Sequence, residues 1–494
     1  MENMSSVDVV TLDVGSSSVR TLLFDSQGNQ REGFGAQFAY HFTVTPDGGV
    51  EMDADKLLQL TVKSLSTIHQ QLLDAQIRPA AVGFSAFWHG LMGVDRVGTP
   101  TTPVLHLFDS RSTVQVAQLA SRLDPKRVHA RTGCALHSSY WPAKLMWLSE
   151  TRHDQFRATE RWISFAEYVF LKLFGSATAS TSMVSASGLW NQEANDYDSE
   201  ILGALPIDTY HLCPWGEMDQ PQSTLQQPYG IHWPLFQGIL WFPAWGDGAC
   251  DSVGSGCTSP DRLALMVGTT GALRSICEKP AEPPPDGLFC YRLDRSRYVI
   301  GGALSNGGDV YEWLRHTLAL PDAVETEKRL AAATPGAHGL TLLPFFAGER
   351  SPYWRPDLHA AITGMNLATR PIDLAAAALE SVALRFREVF DLTSKCLGQP
   401  SAIVASGGAL VHSPAWTQMM ADAIGLPVTM CLEPEATSRG AALLALERAG
   451  VLKDISKTAA RLGDVYQPRT RYQAIYGDLL HRQRHLFQKL FSEN

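Results

Sequence analysis

The chain has 494 residues, enough for two to four domains at about 150 residues each. A hydrophobic fraction of 45% and a charged fraction of 18% are ordinary for a protein that buries a large core. A net charge of −9 with no long basic run argues against nucleic acid or an anionic membrane as partner, but leaves room for a small anionic ligand held locally.

At the N-terminus, Asp8 and Asp13 fall where a secretion signal would need its apolar core. No apolar run approaches the roughly 20 residues that cross a bilayer, so the expected compartment is the cytoplasm. The cysteines (134, 213, 250, 257, 277, 290, 396 and 431) contain no CxxC pair. They read as reduced, buried thiols and not as a zinc site.

The first elements are two strands, Val9–Val14 and residues 19–24, around the turn "GSSS". Backbone N–H groups and hydroxyls in such a turn form an anion site. Asp13 beside it would repel phosphate unless a cation lies between, which suits Mg²⁺. A plain hairpin is the competing reading. Asp53 caps a helix running to about Asp74. Residues 81–85 and 91–94 read as strands around "AFWHG". Trp88 and His89 there are either sugar contacts, an aromatic face with a hydrogen-bonding imidazole, or a core pair. In "HLFDSRS", Asp109 and Arg111 read as a surface ion pair.

Residues 205–245 are rich in Pro, Gly, Gln and Trp and read as a loop-rich approach to a domain boundary near Trp245. "AWGDGACDSVGSG" follows. Its Asp247 is either the cap of a helix beginning near Ala249 or a base beside a reacting hydroxyl. Asp251 is the local competitor for a catalytic role and otherwise reads as solvent-facing on the helix. "RLALMVGTTGALRSI" then repeats the opening pattern of strand, glycine–hydroxyl turn and strand, with Gly268, Thr269, Thr270 and Gly271 in the turn. Residues 281–287, "AEPPPDG", read as a surface loop. In "DLAAAALESVALRFREVF", Leu379, Val382, Phe386 and Val389 share one helical face. "SAIVASGGALVHSPAWTQMMADAIGLP" reads as strand, turn at Gly407-Gly408-Ala409, and a helix capped by Ser413, started by Pro414 and stopped by Gly425. Neither GxGxxG nor GxxxxGK[ST] occurs, which disfavours dinucleotide and P-loop folds.

Taken in order, these motifs resemble the FGGY carbohydrate kinases of the actin/hexokinase/Hsp70 superfamily. "LDVGSSSVR" and "VGTTGAL" look like the two phosphate motifs, and "GDGACDSVGSG" like the catalytic-aspartate segment. "GGALSNGGDVYEWL" and "ASGGALVHSPAWTQMMADAIGLPV" look like nucleotide-binding segments. "EATSRGAALLA" is similar to the C-terminal adenosine-side motif. Residues 360–380, "AAITGMNLATRPIDLAAAALE", fit the family's second signature and are the most specific match.

The resemblance implies an α/β protein of two ribonuclease-H-like (actin-like ATPase) domains flanking a deep cleft. Residues 1–245 would be the sugar-binding domain and residues 246–494 the nucleotide-binding domain. It implies ATP and Mg²⁺, Asp247 as general base on the sugar hydroxyl, and Asp13 as the Mg²⁺-side carboxylate. Ser16, Ser17 and Arg20 would face the ATP phosphates, with Thr270 and Gly271 opposite. Gly308, Gly408 and Ala409 would approach the nucleotide, and Trp88 and His89 would read the sugar. A small sugar or sugar acid is the implied partner, without nucleic acid or membrane; homodimers are common in the family.

"GGALSNGGDVYEWL", "LLPFFAGERSPYW" and "PVLHLFDSRS" look most like gluconate kinases, with xylulose or other pentulose and polyol kinases as the alternative. Three departures lie on the sugar side. Trp141 stands where a small hydroxyl or Pro is usual, in a signature that keeps Lys144 and Trp147. Ser180 replaces a common acidic residue, and Trp88 a frequent methionine. A non-catalytic sugar or nucleotide sensor and a chaperone- or actin-like ATPase are the rival classes.

Overall fold

The computed structural model describes residues 7–215, 220–280 and 282–491. Ala281, the first residue of the expected proline-rich loop, and residues 216–219 of the expected loop-rich segment lie outside them. The chain divides into two units. The first comprises residues up to Thr258 together with 290–299 and 433–459; the second comprises 259–289, 300–432 and the remainder from Ala460.

In the first unit, the apolar runs at the N-terminus become a sheet buried on both faces. Val9–Val14 is wholly buried and pairs antiparallel with Ser18–Phe24, which pairs with Gln30–Ala39. On its other side Val9–Val14 runs parallel to Ala81–Ala86. Ala81–Ala86 in turn takes two short parallel neighbours, Leu240–Trp241 and Trp245–Gly246. The helix Ala54–Asp74 covers one face, capped as expected by Asp53, whose carboxylate accepts the Lys56 N–H at 2.9 Å.

The second unit repeats the scheme. Arg262–Val267 turns through 268–270 into the antiparallel strand Gly271–Glu278 and lies parallel to Ala402–Ser406. The seven strands run in the order Phe289–Arg292, Arg297–Leu304, Gly271–Glu278, Arg262–Val267, Ala402–Ser406, Val428–Cys431, Leu462–Tyr466. The long helix Pro371–Leu397 buries Leu379, Val382, Phe386 and Val389. The helix Pro414–Ile424 is capped by Ser413 and stopped by Gly425 at φ 84°, as its sequence predicts.

The first unit does not end near Trp245. Trp245–Gly246 adds to the first sheet, and the helix Asp247–Gly254 that follows packs against Ala436–Arg448, also of the first unit. Bare backbone permits this approach: a Cβ on Gly254 would lie 1.7 Å from the Ala436 carbonyl oxygen, and one on Gly440 1.9 Å from that of Cys250. Asp247 therefore belongs to the unit that carries Asp13. The helix Ala436–Arg448, whose sequence resembles the adenosine-side motif, belongs to it too.

Two charge assignments are corrected. Asp109 and Arg111 are 1% and 5% exposed at their side chains, not a surface pair. Arg111 binds Asp109 at 2.5 Å and Glu51 at 2.8 Å, and lies 4.4 Å over the Trp147 ring. Asp251 is buried, not solvent-facing. All eight cysteines are free, and only Cys396 is partly exposed. Among the described residues, no helix is long and apolar enough to cross a membrane.

Candidate active site

Strand register places the acidic residues. Asp13 stands opposite Ser85 on the parallel neighbour, and Ser85 stands opposite Trp245 on the next. Three parallel strands thus end together, and ligands bind beyond the carboxyl ends of such strands. Past those ends come Gly15-Ser16-Ser17, Phe87-Trp88-His89, and Asp247. Ser16 and Ser17 are exposed. The turn is held by the Gly15 N–H on the Ser18 carbonyl at 3.0 Å, and the Tyr40 hydroxyl donates to the Gly15 carbonyl.

Asp13 is 4% exposed, and its Oδ1 has no hydrogen-bond partner. Burial is the main force pushing its pKa up to about 7; Arg20 opposes the shift, while the charges of Asp247 and Glu435 add to it, with some relief from nearby Ser85. Arg20 lies 3.5 Å from Asp13 and closer still to Glu435, and its Nη2 bonds the Ser18 hydroxyl at 3.3 Å. The guanidinium expected to face phosphate pairs here with two carboxylates. Asp247 opens its helix at the first position after Gly246, and its Oδ1 accepts the Gly248 N–H at 2.8 Å.

Trp88 and His89 are set by one short segment. The Trp88 indole N–H donates to the Ser182 carbonyl at 3.0 Å, and the Ser182 hydroxyl accepts the Gly246 N–H at 3.0 Å. The indole lies against Gly246, where a Cβ would fall 1.8 Å from the ring. Trp88 is 5% exposed, so its ring offers no open platform. His89 adopts φ 67°, and its Nδ1 meets the Ala186 carbonyl at 2.7 Å. A carbonyl only accepts, so Nδ1 carries the proton. Lys144, fully buried, donates to the carbonyls of His106 at 2.8 Å, Ser139 at 2.9 Å and His89 at 3.4 Å. Burial pushes its pKa down to about 7.

Ser180 does not present an acid here; it caps the short helix Thr181–Val184 and donates to the Ala244 carbonyl. Trp141 is taken into the core beside Leu91 and Leu105.

In the second unit the glycine turns converge. Gly308 N–H donates to the Gly268 carbonyl at 2.8 Å and Asp309 N–H to that of Thr269 at 3.1 Å. A Cβ on Gly308 would lie 2.5 Å from the Gly268 oxygen and 3.0 Å from the Ala409 Cβ. Gly407, at φ 93°, passes so close that a Cβ would lie 2.3 Å from the Val267 oxygen. The structure thus gathers Thr270, Gly271, Gly308, Gly408 and Ala409 around one set of strand ends. Gly408 faces open space, with nothing within 4 Å of a built Cβ, so a ring can approach its backbone.

Ser85, Glu435, Tyr140 and Tyr291 are site neighbours the sequence reading missed. Ser85 follows from the Val9–Val14 and Ala81–Ala86 pairing; Glu435 and Tyr291 lie too far along the chain for any local signal.

Glycine–hydroxyl turns and buried carboxylates at strand ends suit the binding and transfer of phosphoryl groups. The model for the N-terminal domain of the FGGY family of carbohydrate kinases matches residues 9–254, and that for the C-terminal domain matches 263–448. The chain belongs to the FGGY family of carbohydrate kinases. It is 28% identical to the gluconokinase of Bacillus subtilis (strain 168) over 477 residues, covering 92% of this chain and 90% of that protein. It is 24% identical to the xylulose kinase of Staphylococcus xylosus, covering 88% and 90%. In fold it matches the gluconate kinase of Lactobacillus acidophilus with a TM-score of 0.90 over 99% of both chains, at 24% identity. A ligand-bound xylulose kinase from the same organism also gives 0.90, over 98% and 99%, at 24% identity. The protein is thus a carbohydrate kinase, with ATP as phosphoryl donor.

Proposed function

We propose that the protein phosphorylates D-gluconate, with Asp247 as general base and Asp13 as the carboxylate on the metal side. The juxtaposition of Asp13, near the end of its strand, with Asp247, just past the end of the next strand but one, carries this reading. The acceptor assignment draws on the similarity to gluconokinases across nine-tenths of the chain.

The residues fit a divalent cation. Asp13 has an unpartnered buried oxygen and a pKa near 7 without one. Among the described residues no cluster of three or more His, Cys, Asp or Glu side chains could hold a metal alone. That suits Mg²⁺, which keeps waters and shares its shell with phosphate oxygens. When bound, the cation would neutralise charge on the transferred phosphoryl group.

The chain's own groups do the rest. Asp247 takes the proton of the acceptor hydroxyl as its oxygen bonds to the γ-phosphorus and the bond from that phosphorus to the β,γ-bridging oxygen breaks, releasing ADP. Ser16 and Ser17 offer hydroxyls and backbone N–H groups to phosphate oxygens, and Arg20 holds Asp13 in place through its charge. Thr270 and Gly271 bind phosphate, while Gly308, Gly408 and Ala409 let the nucleotide approach backbone. His89 meets sugar hydroxyls, with Trp88 walling the pocket. The reaction runs in the cytoplasm, where the free cysteines stay reduced.

Asp247→Asn keeps the Gly248 bond acceptor but cannot take a proton. Turnover with gluconate is expected to fall at least about a hundredfold, with an unchanged melting temperature. Near-normal turnover in the folded variant would refute the role.

A further inference from the structure

We infer that Tyr291 is a positioning residue for carbohydrate recognition: it and Tyr140 lock the His89 ring from two sides. The inference rests on the reading that His89 meets the sugar. Tyr291 is 2% and Tyr140 1% exposed, so neither offers a surface to substrate. Their hydroxyls meet at 2.6 Å. Both rings stand nearly perpendicular to the imidazole, Tyr140 at 5.1 Å and 86°, Tyr291 at 5.5 Å and 68°. Tyr291 also packs edge-on against Trp88 at 5.1 Å. Edge-to-face contacts favour one ring orientation. Together with the Nδ1 bond to Ala186, they leave the imidazole little freedom to rotate.

Tyr291 reaches His89 because its neighbours are pinned. Residues 290–299 form the tip of the hairpin spanning 289–304, and they belong to the first unit. The Cys290 N–H donates to the Gly133 carbonyl at 2.9 Å, and the Arg292 N–H to the Ser185 hydroxyl at 2.8 Å. The Gln192 amide donates to the Cys290 carbonyl at 3.1 Å and accepts from Arg292 Nε at 3.0 Å. Gly133, at φ 69°, permits the approach: a Cβ there would sit 2.1 Å from the Cys290 oxygen. Ser185 adjoins Ala186, so one segment anchors both the hairpin and the imidazole. A residue more than two hundred positions after His89 thus fixes the ring proposed to read the sugar.

The test compares Tyr291→Phe, Tyr140→Phe, the double variant and His89→Ala, reading KM for gluconate, KM for ATP, kcat and melting temperature. Losing one neutral hydrogen bond predicts a gluconate KM raised about two- to tenfold in each Tyr variant. Turnover and the ATP KM should stay within about twofold. The double variant should be no worse than the worse single one, since both remove the same hydroxyl contact. Tyr291→Leu, which also removes the ring contacts, should raise the gluconate KM further. If His89→Ala raises the gluconate KM while both Tyr→Phe variants and Tyr291→Leu leave it unchanged, the positioning role is wrong and the sugar-reading role of His89 stands. If His89→Ala leaves the gluconate KM unchanged, both fall together.

Discussion

Asp13 is held where a carboxylate is unstable and useful. Its pKa near 7 lies above the ordinary value of 3.8 because burial outweighs the attraction of Arg20. The sign of the resulting stability effect follows from proton counting. Between about pH 4 and pH 7 the folded protein retains a proton at Asp13 that the unfolded chain has lost, so this group lowers stability as pH rises through that window. Above about pH 7 the loss is complete and constant. Asp13→Asn removes it. The metal-free variant should therefore melt higher than the wild type at pH 8, with the difference vanishing towards pH 4, while turnover drops about tenfold or more. A variant that melts lower than wild type at pH 8 would contradict the assignment. The conflict of an aspartate beside a phosphate turn is legible in "LDVGSSSVR". The identity of the groups around Asp13 is not, because Glu435 is brought in from the far end of the chain.

Among elements, the pair Asp247–Gly254 and Ala436–Arg448 sets the site. The first helix starts with the proposed base, and the second closes off its buried side without room for one methyl group. Gly440→Ala would gain helix propensity in isolation, by about 1 kcal/mol. Here the new methyl meets the Cys250 carbonyl and must push the helices apart. A net loss of about 1–3 kcal/mol in urea unfolding is expected, with reduced turnover as Asp247 shifts. Unchanged stability would show that the helices can separate freely. Strand Val9–Val14, the Asp53 cap and the helix Pro414–Ile424 were legible because hydrophobic period, cap and stop signal are local. The assignment of Ala436–Arg448 was not: "AALLAL" is buried all round and carries no face that names its partner. Composition misplaced the unit boundary for a related reason. The Pro-, Gly- and Trp-rich stretch marks irregular backbone, but Trp245–Gly246 still completes the first sheet. The burial of Asp109, Arg111 and Asp251 escaped pattern reading because charged side chains look the same in sequence whether paired inside or solvated.

For the whole molecule, family membership sets the reaction, and the sugar-side residues set the acceptor. Trp88 against Gly246, Trp141 in the core and Ser180 as a cap show three departures absorbed by packing, without loss of the Asp13 and Asp247 arrangement. A protein that only binds would release no ADP with any sugar. An ATPase of the actin or chaperone kind would release ADP without sugar. The most direct measurement is ADP release from MgATP with D-gluconate, with D-xylulose and with no sugar, side by side on the same preparation. The account predicts release that depends on sugar, with kcat/KM higher for D-gluconate than for D-xylulose. Release at the same rate without sugar, or a higher kcat/KM for D-xylulose, would contradict it.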